Sequence, residues 1–256
     1  MARAIADPEC PRCGGTGWIT QPDAGAGAAR PCECRDRHVV PHLIEAAGVP
    51  PRYLGCTIQG FQTATGDDRT RARLMQAKAA CQRYVDEFLG LDGAFKETGL
   101  LLVGAPGTGK THLAAAVLLE LIRRYRVRGR FVDFTSLVHR IQSTFDPSSP
   151  ESKHDVLDPV IEAPVLVLDE LGAQKPTAFV NDVLYLILNT RYSRRLPTLF
   201  TTNFRLKKED ARSEFDLLAD RIPHMLVSRL YEMAVPITLD ATDFRYEVRM
   251  PKLLQT

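Results

Sequence analysis

No apolar run among these 256 residues approaches the ~20 that a membrane-crossing helix requires. The amino end, Met1-Ala-Arg-Ala-Ile-Ala-Asp7, has no apolar stretch long enough for a secretory leader. There is no large excess of one charge either. Lys and Arg number 33 against 31 Asp and Glu, a net charge of +2, so any nucleic-acid contact has to come from a local patch. Internal repeats are also lacking. Together these absences lead us to expect a cytoplasmic protein. What remains is an ordinary globular composition, 45% hydrophobic and 25% charged, enough for one substantial domain plus a small appendage. In that compartment the six cysteines are expected as thiols or metal ligands rather than disulfides.

The segment Gly104, Ala105, Pro106, Gly107, Thr108, Gly109, Lys110, Thr111 fits G-x-x-x-x-G-K-[ST] at every fixed position. An apolar run, Leu100 to Val103, precedes it, and a helical pattern from His112 to Tyr125 follows. A strand that turns through glycines into a helix N-terminus presents backbone N–H groups to a polyphosphate. Lys110 is expected to reach the β and γ oxygens of a nucleoside triphosphate, and the Thr111 hydroxyl to ligate Mg²⁺. His112 completes the expected nucleotide-binding run.

From Gly99 onward, strand and helix patterns alternate. Strands are expected at 99–103, 130–134, 164–168, 197–201 and 234–238, with helices at 110–126, 136–144, 177–194 and 216–231. That alternation predicts a parallel sheet covered on both faces. Val165 to Leu168 is apolar throughout and ends in Asp169 and Glu170. Beside a phosphate loop, Asp169 would hold Mg²⁺ and Glu170 would polarise the attacking water. Asn203 ends the next strand, where its amide could report the third phosphate. Arg221, Arg229 and Arg245 lie downstream, and a guanidinium suits phosphate oxygens. Upstream, residues 36–50 read as a short helix and Arg69 to Leu89 as an amphipathic one, with 52–65 irregular between them.

Four cysteines crowd the first 34 residues. Cys10-Pro-Arg-Cys13-Gly-Gly-Thr-Gly-Trp18 looks like a zinc knuckle, and Cys32-Glu-Cys34 would close a four-thiolate, structural Zn²⁺ site. His38 or His42 could replace a cysteine, and a redox pair or loose thiols are the other readings. The low-complexity stretch Gln21 to Ala29 joins the two pairs. A module this small has no core of its own, so metal binding and folding would be one event.

Gly104 to Ala114, Val167-Leu-Asp-Glu-Leu-Gly172, Thr201-Thr-Asn203, Ser228-Arg-Leu230 and Asp243-Phe-Arg245 together resemble a AAA+ ATPase. More narrowly, they resemble the helicase-loader and transposition-helper group (DnaC, DnaI and IstB). The resemblance implies an α/β P-loop NTPase, a parallel sheet flanked by helices, at residues 51–256. A small zinc-binding, partner-binding module at 1–50 would precede it. It puts the γ-phosphate sensor on Asn203, the arginine finger on Arg229 and a second sensor on Arg245. Because Arg221 to Arg229 is longer than the family spacing and contains Pro223, Arg221 competes for the finger role. The resemblance further implies a homo-oligomer with ATP at subunit interfaces and single-stranded DNA in a central channel. The implied partner is a replicative DnaB-type helicase. An IstB-like helper of a transposase on double-stranded DNA shares the same core, and a nucleotide-binding adaptor without turnover is a third reading. His139, Arg140 and Lys153, in the long stretch Thr135 to Ala163, are candidate DNA contacts. The basic run Arg123 to Arg130 is a candidate nucleic-acid or partner patch.

Overall fold

The five apolar segments pair side by side into one parallel sheet in the computed structural model, which describes residues 10–20, 29–90, 93–207 and 217–244. In chain order they are β3 (Gly99–Gly104), β4 (Gly129–Asp133), β5 (Val165–Asp169), β6 (Thr198–Thr202) and β7 (Ala234–Leu239). Their spatial order is β4-β5-β6-β3-β7. Successive side chains of a strand point to opposite faces. Leu100, Leu102, Val165, Val167 and Leu199 therefore enter one buried cluster, while Leu101, Val103, Leu166, Leu168 and Phe200 enter the other. The first cluster is covered by α1 (Glu33–Ala46), α2 (Asp68–Asp86) and α3 (Lys110–Tyr125). The second is covered by α4 (Phe134–Ser143), α5 (Lys153–Ile161), α6 (Ala178–Ser193) and α7 (His224–Met233). Ahead of the sheet, β1 (Trp18–Thr20) and β2 (Ala29–Pro31) form an antiparallel ribbon. No helix among the described residues is long and apolar enough to cross a membrane.

Three local departures from the expected elements have physical causes. Phe134 is helical, because the Asp133 carboxylate accepts the Ser136 N–H at 2.7 Å and caps α4 two residues earlier than the pattern implied. A helix the periodicity did not reveal, α5, starts on a capping box in which Ser152 and Asp155 satisfy each other's backbone N–H groups. Residues 216–231 do not form one helix. Leu218–Asp220 is a short 3₁₀ turn, Pro223 then resets the chain, and α7 begins at His224. Residue 216 lies outside the described residues.

At the N-terminal end of the strands a fully buried Arg191 ties three segments together. Its Nη1 donates to the carbonyls of Val160, Ile161 and Ala163, its Nη2 to Pro197 and its Nε to the Thr198 hydroxyl, at 2.7 to 3.2 Å. Two of those carbonyls end α5, where helical carbonyls lack internal partners. Burial pulls the Arg191 pKa down to about 9.

Candidate functional site: a triphosphate cleft and a thiol cluster

The cleft lies at the opposite, C-terminal end of the strands. It encloses about 810 Å³ between the loop 106–112, the end of β5, the end of β6 and residues 241–244. Most helices here begin on a side-chain cap: Asp67 for α2, Asp133 for α4, Ser152 for α5 and Thr177 for α6. α3 begins instead on Gly109 in the left-handed region (φ 93°), with no side-chain cap. The first N–H groups of α3 thus face the cleft, which is the arrangement that binds phosphate. Gly109 has a second constraint, since a Cβ there would lie 2.6 Å from the Phe61 ring. Lys110 Nζ donates to the Ala105 carbonyl at 2.8 Å, and the Thr108 hydroxyl donates to the same oxygen at 2.9 Å.

The carboxylate side of the cleft is held by threonines. Asp169 Oδ1 accepts the Thr111 hydroxyl at 3.1 Å and the Thr201 hydroxyl at 2.5 Å. Thr201 in turn accepts the Glu170 N–H at 2.9 Å, so one hydroxyl fixes both acidic residues. Burial raises the Asp169 pKa above the usual carboxylate range. The two hydroxyls oppose the rise, and Glu170 and Asp133 add to it. Glu170 has φ 60°, a conformation that costs a non-glycine residue energy and that recurs at functional sites. It is exposed and lines the cleft with Asn203. A buried carboxylate in contact with the Thr111 hydroxyl, flanked by further carboxylates, is a donor set that fits Mg²⁺. Thr201 and Asp133 were not selected from sequence. Asp133 ends β4 directly beside Asp169 in the sheet register, so both share one rim.

The irregular segment 52–65 forms another wall, with Arg52, Tyr53, Cys56, Phe61 and Thr65 lining the cleft. His112 pins it. Its Nε2 donates to the Thr57 carbonyl at 3.0 Å, which leaves Nδ1 to accept the Cys56 thiol at 3.3 Å. Burial pushes the Cys56 pKa up, keeping that thiol protonated as a donor. Nothing local in the sequence signals this pairing, because its members stand 56 residues apart.

The arginines part company. Arg221 is committed to its own chain: Nε and Nη2 donate to the carbonyls of Gly172, Ala173 and Gln174, and the guanidinium stacks on Phe204 at 4.9 Å. Arg229 lies outside the cleft lining, between the rings of Tyr185 and Tyr192. Arg245 lies outside the described residues. In the long stretch after β4, Arg140 forms a two-pronged pair with Glu151, His139 contacts Gln174 at 3.5 Å, and Lys153 is exposed at the start of α5. In the basic run, Arg124 pairs with Asp86 and Arg126 ends α3.

At the other extremity, the sulfurs of Cys10, Cys13, Cys32 and Cys34 all lie within 4.8 Å of one another. Cys10 and Cys32 are 3.7 Å apart, and Cys13 and Cys34 are 3.4 Å apart. A tetrahedral ion with Zn–S bonds of about 2.3 Å sets its sulfurs about 3.8 Å apart, so the cluster fits Zn²⁺. The turn after Cys13 lets the Gly17 N–H donate to the Cys13 sulfur at 3.2 Å. At Cys13, burial raises the thiol pKa, but this N–H and the neighbouring sulfurs outweigh it and bring the value to about 6. His42 turns toward Glu45 instead.

Known proteins decide the family. A profile described as IstB-like ATP binding protein matches residues 71–241. The chain belongs to that family. The replicative helicase loader DnaI of Bacillus subtilis is 30% identical over 209 residues, covering 80% of this chain and 63% of DnaI. The replicative helicase loader DnaC of Escherichia coli K12 is 27% identical over 165 residues, covering 63% of this chain and 61% of DnaC. This family member thus spans about three fifths of the length of those relatives. A crystal structure of the DnaC helicase loader is 29% identical and superposes with a TM-score of 0.59, covering 74% of this chain and 99% of that one. AMPPCP-bound DnaA of Aquifex aeolicus has the same fold at 19% identity, with a TM-score of 0.53 over 81% of this chain and 56% of that one. This IstB-like protein therefore has the P-loop, ATP-binding fold of its family, with a four-cysteine cluster ahead of the parallel sheet.

Proposed function

We propose that this chain is an ATP-hydrolysing loader that delivers a replicative ring helicase onto single-stranded DNA in the cytoplasm. The reading rests on one observation. A triphosphate cleft and an N-terminal thiol cluster occur together in a chain similar over most of its length to replicative helicase loaders. Residues 1–50 would then be the partner-binding head and 51–256 the motor. The basic run Arg123 to Arg130 and the positions His139, Arg140 and Lys153 are the surfaces for DNA.

In the cleft, the N–H groups of the 104–111 loop would cradle the phosphates, and Lys110 would exchange the Ala105 carbonyl for phosphate oxygens. Tyr53, Phe61 and Leu74 supply an apolar wall for the base. Thr111 and Asp169 would hold Mg²⁺, which neutralises charge on the β and γ oxygens when bound. Glu170 takes a proton from water as its oxygen bonds to the γ-phosphorus and the bond to the β–γ bridging oxygen breaks, giving ADP and phosphate. Asn203 faces the same space and would sense the γ-phosphate. Arg229 would come from a neighbouring copy, since Arg221 is engaged with its own loop. Binding ATP and ADP differently is what would couple turnover to loading. Cys10, Cys13, Cys32 and Cys34 would hold Zn²⁺ as a structural staple.

Glu170→Gln should still bind ATP but release phosphate about 100-fold more slowly, in the presence of single-stranded DNA. Wild-type turnover by that variant would overturn the assignment. The full chain, used as bait, should capture a ring helicase. Recovery of a transposase instead would select the IstB-like helper, and absence of phosphate release under every condition would select an adaptor. About one zinc per chain, lost together with the fold of the N-terminal ribbon on substituting Cys13, is the expected metal result.

A further inference from the structure

Arg229 stands on α7 facing α6, where Tyr185 and Tyr192 are seven residues apart and so share one helical face two turns apart. The guanidinium carbon lies 5.5 Å from the centre of one ring and 5.6 Å from the centre of the other. Both distances are within the range of a cation–π contact. Nη1 is buried and has no hydrogen-bond acceptor, and among the described residues no carboxylate pairs with this side chain. The nearby carboxylate of Glu232 is taken by the Tyr192 hydroxyl, which donates to it at 2.6 Å.

A guanidinium with one buried, unsatisfied N–H favours an added anionic oxygen. Among the described residues lining this chain's own cleft, the arginine and lysine side chains are Arg52 and Lys110. The face around Arg229 exposes Tyr185, Tyr192 and Met225. An arginine waiting for an oxyanion on one surface, and a cleft built for a triphosphate on another, are complementary between two copies of the chain.

We infer that Tyr185 and Tyr192 are positioning residues: they form an aromatic clamp that holds the Arg229 guanidinium in place until a second copy presents its nucleotide. The inference rests on the reading that Arg229 acts across a subunit interface. The two rings hold the cation without offering a carboxylate that would compete with phosphate. The clamp should therefore raise the rate of the assembled protein without changing how the isolated chain binds nucleotide.

The test is steady-state phosphate release by the assembled full-length chain, with kcat and KM resolved. It is read beside fluorescent-ATP binding to dilute chain and assembly by sedimentation. The Y185L/Y192L pair should lose about ten-fold in kcat with KM, nucleotide affinity and assembly unchanged, because the arginine is no longer pre-positioned. The Y185F/Y192F pair, which keeps both rings, should restore that kcat. R229A should lose about 100-fold or more, and mixing it with K110A should recover turnover in the hybrid assemblies. Wild-type turnover by R229A, or no recovery on mixing, would defeat the underlying reading. An inactive R229A beside a fully active leucine pair would defeat the clamp alone. A phenylalanine pair as slow as the leucine pair would assign the effect to the hydroxyls and overturn it too. If the leucine pair does not fold, Tyr185→Leu alone decides by the same criterion, with folding followed by circular dichroism.

Discussion

The two ends of the parallel sheet are built on opposite principles. At the N-terminal end, Arg191 is fully buried and its donors meet four carbonyls and a hydroxyl. At the C-terminal end, Asp169 is buried among other acids, Glu170 is held at a positive φ, and α3 starts without a side-chain cap. One end has the donors of its buried arginine satisfied within the fold. The other is left in a state that a bound polyanion and a cation would complete. The contrast sets a stabilising network at one end against the proposed nucleotide cleft at the other, the end where sheets of this topology bind ligands.

The sharpest way to break that contrast is at the satisfied end. Arg191→Met keeps the aliphatic stem but strands the carbonyls of Val160, Ile161, Ala163 and Pro197 in a dry interior. Leaving buried polar groups without partners should cost about 3–5 kcal/mol, measured by urea unfolding. Nucleotide affinity of the fraction that stays folded should be unchanged. A milder cost would mean that water reaches those carbonyls. Arg191→Lys should recover little, because a single ammonium cannot span the donors of the planar fork.

Much of this arrangement can be read from the chain before it folds, for reasons that particular residues make plain. The strands were legible because Val165 to Leu168 is buried on both faces and carries no polar residue to confuse the pattern. The glycine loop before α3 and the carboxylates that end β5 were legible because they fall where strand patterns stop. The clustering of the cysteines was legible because they occur as two close pairs. What stayed hidden depends on distant contacts. Arg191 looks like any helical arginine until α5 and β6 close around it. Cys56 and His112 meet only when the 52–65 segment folds over α3. Helix α5 carries its own start signal in Ser152 and Asp155, but Pro159 in its last turn masks it. Pro223 was visible, yet its power to split the 216–231 pattern follows from its place before His224.

The next largest effect should come from the loop at the cleft end. Gly109→Ala adds a Cβ that meets the Phe61 ring at 2.6 Å, at a φ of 93°. Both the strain and the collision have to be relieved, at a cost of about 1–3 kcal/mol. Moving Phe61 would disturb the cleft wall, so ATP affinity should fall along with stability. A loss of stability with affinity intact would show that the 52–65 segment does not touch the nucleotide.

The smallest and most discriminating prediction concerns Asp169. Its pKa in the folded chain is raised above the unfolded value, chiefly by burial. The folded state therefore binds the proton more tightly than the unfolded state does. The favourable contribution is complete below the ordinary aspartate range and is lost as pH rises through the raised value. Above that raised value the nucleotide-free chain carries the penalty of a buried, ionised carboxylate. Asp169→Asn removes the charge and keeps an oxygen that can accept from Thr111 and Thr201. Without nucleotide, the variant should be more stable than wild type at neutral pH by about 1 kcal/mol, and the difference should vanish in acid. With ATP and Mg²⁺ the order should reverse, because only the carboxylate gains a cation. Thermal melts at two pH values, with and without Mg·ATP, read all four corners. A variant less stable than wild type at neutral pH without ligand would show that the two threonines fully satisfy the ionised carboxylate. The C-terminal end of the sheet would then be as complete without ligand as the end built around Arg191.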